Sequence, residues 1–162
     1  MKHTFRNTAL AALLVTAAAA ASASGTHADG HDAGEAIGEP GVAAKATRTI
    51  NVDMKDTMRF TPAGISVRQG ETVRFVVKNS GVLRHELVLG TEKTLAAHYE
   101  AMKKSPEMEH ADPNMVTLAA GKTGEVVWQF TKAGKVDFGC LQPGHYDAGM
   151  KSVVNVAKAT GG

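Results

Sequence analysis

Apolar and polar residues alternate in short runs through most of the chain, with turn residues between the runs. Thr49 to Met54, Met58 to Pro62 and Ile65 to Val67 come first, Gln69-Gly70 marks a turn, and Glu71 to Lys78 is the longest early run. Asn79-Ser80-Gly81 breaks the pattern before Arg84 to Leu89, and Gly124 to Phe130, Gly134 to Gly139 and Lys151 to Val156 complete it. A period of two bounded by Gly, Asn and Pro reads as half-buried strands. Seven or eight such strands without an intervening helical rhythm predict an all-β fold, a Greek-key sandwich of two sheets.

One segment has a different period. Between Thr91 and about Lys104, Leu95, Tyr99 and Met102 recur at helical spacing; Thr91 or Thr94 can cap the start, and Ser105-Pro106 stops it. This predicts a helix laid against the sandwich, then a loop to Thr117, as an insert at about 91–116.

The chain before Thr47 has neither period. Lys2 and Arg6 precede an apolar run from Ala9 to Ala21, broken only by Thr16, and Ala21-Ser22-Ala23 fits a small-residue cleavage site. The run is shorter than the roughly 20 apolar residues that span a bilayer. Residues 1–23 therefore read as an export signal, which implies a periplasmic protein with no stable membrane insertion after cleavage. Residues 24–46, rich in Gly, Ala, Asp, Glu and His, read as a flexible arm, with 47–162 as the folded domain. His27 and His31 in that arm, among Asp29, Asp32 and Glu35, read first as a solvated tail and second as a weak divalent-metal site.

Cleavage also changes the electrostatic picture. It removes two of the eighteen basic residues and none of the sixteen acidic ones, leaving a net charge of zero. The basic pI of 8.7 belongs to the precursor, so no nucleic-acid partner follows from it. One cysteine in an exported chain cannot form an internal disulfide. It is exposed to oxidation unless something holds it, and a metal does so.

The candidate chemistry lies in Cys140-Leu-Gln-Pro-Gly-His145-Tyr-Asp-Ala-Gly-Met150, where a thiolate, an imidazole and a thioether recur five residues apart around a Pro143-Gly144 turn. Thiolate with imidazole nitrogens and a weak, long thioether contact suits copper in both oxidation states, whereas zinc more often takes further cysteines or a carboxylate. The trigonal plane needs a second histidine, for which His85 is the candidate. The competing reading, a buried cysteine beside an incidental histidine and a core methionine, does not explain three soft ligands in so short a turn.

The Cys-x4-His-x4-Met loop after Val136-Asp-Phe-Gly-Cys140, with Asn79-Ser-Gly-Val-Leu-Arg-His85 upstream, resembles the cupredoxins, the blue-copper proteins related to azurin and plastocyanin. The resemblance covers roughly Thr49 to Ala157. It implies His85, Cys140, His145 and Met150 as type-1 copper ligands. Many cupredoxins follow the first histidine with an asparagine that ties the two ligand loops together, and this chain has Glu86 there.

A second group of soft ligands, His98, Met102, Met108, His110 and Met115, falls in the insert. Either Met102 packs on the sandwich and the histidines are solvated, or the group forms an accessory, weaker copper site. Met54 and Met58 could join it or serve as core and edge residues. Trp128 reads as a core residue rather than an electron relay, and Tyr146 as a cover for the copper loop. A nucleophilic Cys140 activated by His145 is a distinct but poorer reading.

A coordinatively complete copper leaves no position for a substrate, and no multicopper histidine cluster, paired carboxylates or Ser/His/Asp arrangement occurs. The expectation is therefore a monomeric, non-enzymatic copper protein. It serves copper tolerance or homeostasis, or it is a diffusible one-electron carrier whose redox partner docks near Pro143, Gly144 and His145.

Overall fold

A computed structural model of the chain describes residues 37–106 and 111–159. The segment read as an export signal, His27, His31, Met108 and His110 lie outside the described residues. Ten strands and one α-helix follow in the order β1 (Glu39–Pro40), β2 (Arg48–Lys55), β3 (Arg59–Thr61), β4 (Ile65–Arg68), β5 (Thr72–Asn79), β6 (His85–Gly90), α1 (Glu92–Lys104), β7 (Met115–Leu118), β8 (Thr123–Gln129), β9 (Gly134–Gly139) and β10 (Lys151–Ala157). They form two five-stranded sheets, ordered β1-β8-β5-β2-β3 and β4-β10-β9-β6-β7. Pairing is antiparallel except for β2 with β5 and β4 with β10. The all-β sandwich expected from the alternation is what the chain forms.

Alternation places the core between the sheets. Val73, Phe75 and Val77 of β5 are buried while Arg74 and Lys78 are exposed, and Val126 and Trp128 of β8 follow the same parity. Phe60 meets Phe138 across the sheets edge to face, with ring centroids 4.9 Å apart, a geometry that aromatic quadrupoles favour. Met54 and Trp128 are both core residues.

β6 is the exception, because all six of its residues are buried. One face, with Leu87 and Leu89, joins the main core. Val88 on the other face joins a second cluster with Leu95, Tyr99 and Met102 of α1, Met115 and Leu141. The helix starts at an N-cap Thr91 whose hydroxyl accepts from the Thr94 N–H, while the Thr94 hydroxyl accepts from the Thr91 N–H. This reciprocal cap satisfies amides that the first turn leaves unbonded. Glu92 in the first turn and Lys103 and Lys104 in the last match the helix dipole.

Two parts differ from the expectations. Residues 37–46, read as the end of a flexible arm, pack against the sandwich: β1 pairs with β8, Ile37 is buried, and its carbonyl accepts from Trp128 Nε1 at 3.0 Å. Gly38, with φ +118°, allows this approach, since a Cβ there would lie 2.1 Å from the Gln129 carbonyl oxygen. Residues 115–117, read as the end of a loop, belong to β7, which pairs with β6. Among the described residues no helix is long and apolar enough to cross a membrane.

Candidate metal centre

Three ligand atoms meet where the β5–β6 connection approaches the β9–β10 loop. His85 opens β6, and Cys140 directly follows β9. His85 Nδ1 lies 3.1 Å from His145 Nδ1 and 3.9 Å from Cys140 Sγ, and His145 Nδ1 lies 3.3 Å from that sulfur. The point equidistant from all three atoms is about 2.0 Å from each, close to the ~2.0–2.3 Å bonds of a transition ion to imidazole or thiolate. Among the described residues this is the one such grouping of His, Cys, Asp and Glu. Met150 is fully buried in the same core cluster as Cys140, and its carbonyl accepts from the Cys140 N–H at 3.0 Å. One thiol sulfur and two imidazole nitrogens, with a buried methionine in the core cluster that holds the thiol, form a donor set that fits copper.

The loop carrying these groups is held by its own backbone. Amides of His145, Ala148, Gly149 and Met150 donate to the carbonyls of Gln142, Gly144, Tyr146 and His145, respectively. From outside, Tyr99 on α1 accepts from the Gly144 N–H at 2.9 Å and donates to Asp147 Oδ2 at 2.8 Å, so it grips the loop on both sides of His145. The Tyr146 ring lies 5.4 Å from that of Tyr99 and packs, partly buried, against the cluster beneath α1.

The upstream ligand is held as firmly. Asn79, fully buried, donates to the carbonyls of Leu83 and Leu118 and accepts from the Gly81 N–H. Asp56, in the turn between β2 and β3, accepts from the amides of Val82 and Leu83 and lies 2.9 Å from His85 Nε2. The link between ligand loops survives the change of residue at Glu86, whose carboxylate accepts from Gln142 Nε2 while its backbone N–H points at Cys140 Sγ at 3.4 Å.

Burial sets the protonation of the metal-free groups. It pushes the Cys140 thiol from 9.0 up to about 12, only partly offset by the amides of Glu86 and Gln142. Burial and then the neighbouring His85 hold His145 below the usual imidazole range. Amide donation from Val82, followed by the His85 ring, lowers Asp56. A thiol that binds a metal is deprotonated, its proton passing to solvent, so a bound metal would supply the stabilisation that buried surroundings deny the thiolate.

His85, Cys140 and His145 thus lie together, and Met150 is buried in the same core cluster as Cys140. Of the second group, Met102 and Met115 are buried in the cluster beneath α1, and His98 is half-buried. Sequence reasoning missed Asp56, Tyr99 and Gln142. The only prior signal was an acidic residue at a turn, a tyrosine in the helical stripe and a glutamine within the metal loop.

A two-sheet sandwich with clustered His85, Cys140 and His145, the first two buried and the third half-buried, defines a cupredoxin. The chain belongs to the plastocyanin/azurin family of copper-binding proteins, whose sequence model matches residues 46–157. It is 58% identical to the copper-resistant cuproprotein CopI of Rubrivivax gelatinosus, over 82% of this chain and 79% of that protein. It is 38% identical to the copper-resistant cuproprotein CopI of Pseudomonas aeruginosa, over 76% of this chain and 83% of that protein. Among solved structures it is similar to auracyanin B, with a TM-score of 0.62 and 26% identity over 75% of this chain and 96% of that one.

Proposed function

We propose that the protein is an exported, non-enzymatic type-1 copper protein that serves copper tolerance. His85, Cys140, His145 and Met150 would hold the copper, through one thiolate, two imidazole nitrogens and a thioether. The observation that carries the reading is the 58% identity to a copper-resistant cuproprotein across most of both chains, joined to a donor triangle of the right size and softness for copper. Copper bound there supplies one-electron chemistry between its two oxidation states. The chain's part is to keep the ligands nearly fixed in both, which the self-bonded loop, the Tyr99 grip and the Asn79 and Asp56 contacts favour.

A second reading, a diffusible electron carrier, draws support from the surface beside the site. Val82 is 82% and Leu83 45% exposed, three and two residues before His85. Pro143 and Gly144 are exposed next to a half-buried His145. Together they offer an apolar surface on which a redox partner could dock. Growth of a deletion strain in graded copper separates the two readings. Copper sensitivity, restored by the wild-type gene but not by a Cys140→Ser gene, is the expected result. Normal growth in copper with loss of one respiratory activity establishes the carrier instead.

A further inference from the structure

The turn between β2 and β3 is far from both ligand segments in sequence, yet it touches each of them. Asp56 Oδ1 lies 2.9 Å from Nε2 of His85, a ring that is itself fully buried. The same carboxylate accepts the amides of Val82, at 2.8 Å, and Leu83, at 3.2 Å, in the loop that leads into His85. Three residues further on, Arg59 Nη1 donates at 3.0 Å to the Ala148 carbonyl of the metal loop. Room for the carboxylate depends on Gly81, where a Cβ would lie 2.1 Å from Asp56 Oδ1. Met58, between the two contact residues, has a φ of +57°, a region that costs a residue with a Cβ and persists where surrounding contacts over-determine it.

We propose that Asp56 is a positioning residue for the copper site, fixing the tautomer and angle of His85 and biasing the bound metal toward its higher charge. This rests on the reading of His85 as a ligand. A carboxylate has only acceptor atoms, so the proton of a neutral His85 ring sits on Nε2, and the lone pair of Nδ1 is left facing Cys140 and His145. Accepting that hydrogen bond makes the imidazole a stronger donor, and the negative charge favours copper(II) over copper(I). The two amide contacts stop the carboxylate from rotating away. Arg59 ties the turn to the other ligand loop, so the two halves of the site are referred to one short segment.

The test compares copper-loaded wild type with Asp56→Asn, Asp56→Ala and, as a charge control, Glu125→Gln, which removes one carboxylate from the exposed pair between Arg74 of β5 and Glu125 of β8. Asn keeps an oxygen that can accept from Nε2–H but loses the charge. In the reduced, diamagnetic protein, the His85 Nε2–H proton resonance should be downfield and slowly exchanging in wild type. It should move upfield in Asp56→Asn and exchange fast in Asp56→Ala. The reduction potential should rise in both Asp56 variants, with copper(II) affinity falling about tenfold, and should change much less in Glu125→Gln. Equal shifts of potential in Asp56→Asn and Glu125→Gln, or an unmoved Nε2–H resonance in Asp56→Ala, would overturn the proposal. His85→Ala separates this from the reading beneath it: if that variant keeps the wild-type copper spectrum, His85 is not a ligand and the assignment of the site itself fails.

Discussion

Cys140 makes a quantitative prediction for the metal-free protein. Its thiol rises from 9.0 to about 12 in the fold because it is buried. At about 1.4 kcal/mol per unit, the difference corresponds to roughly 4 kcal/mol of folding free energy linked to one proton. Between pH 9 and pH 12 the folded state holds that proton more tightly than the unfolded chain does. The contribution is therefore fully present below pH 9, declines as pH rises, and is lost by about pH 12. Urea unfolding of metal-free wild type and Cys140→Ala, from pH 7 to pH 11, measures it. The alanine cavity shifts the whole curve by a constant, and the Tyr99 and Tyr146 hydroxyls, also pushed up mainly by burial, contribute to both proteins and cancel in the difference. Above pH 9 wild type should lose about 1.4 kcal/mol per pH unit more than the variant. Parallel curves would refute the reasoning and show a thiol that titrates as if exposed.

Three further outcomes are expected. Tyr99→Phe removes the hydroxyl that bonds both Gly144 and Asp147; urea unfolding should show a loss of about 1–2 kcal/mol, and α1 should keep its helical signal. Met150→Leu should keep copper and colour while shifting the potential, because the axial bond is weak; complete loss of copper would mean that Met150 holds the metal more strongly than an axial thioether does. Copper(I) titration of a chain beginning at Ile37, which drops His27 and His31 but keeps β1, should stop at one tight equivalent, since Met102 and Met115 are occupied in packing α1; a second equivalent that disappears when His98, Met102, Met108 and His110 are replaced together would establish the accessory site instead.

What could be read from the sequence was what local spacing encodes. Cys140, His145 and Met150 sit in one turn, and a thiolate between an imidazole and a thioether carries its metal preference in its composition. The helix was equally legible, because Leu95, Tyr99 and Met102 mark one face and Thr91 caps it. β1 was not, since two residues, one of them proline, show no alternation and are held by Ile37 and Gly38 docking onto Trp128. β7 has only its end residues buried, a pattern without a period of two. Asp56 meets His85 from 29 positions away, and Gln142 meets Glu86 from 56 positions away. Such pairings arise from the sheet topology, and no local pattern announces them. The substitution at Glu86 shows the same limit: its identity removed the expected asparagine, yet the link between loops was remade with Gln142.

The most direct test of the copper site is the absorption spectrum of protein loaded with one equivalent of copper(II), recorded for wild type and Cys140→Ser. A thiolate bonded to copper(II) gives an intense visible charge-transfer band, and a serine hydroxyl is too hard a ligand to replace it. Wild type should bind one copper tightly and be strongly coloured, and Cys140→Ser should be colourless. A Cys140→Ser protein that keeps the band, or a colourless wild type with its copper bound elsewhere, would contradict the assignment of His85, Cys140, His145 and Met150 as the metal centre.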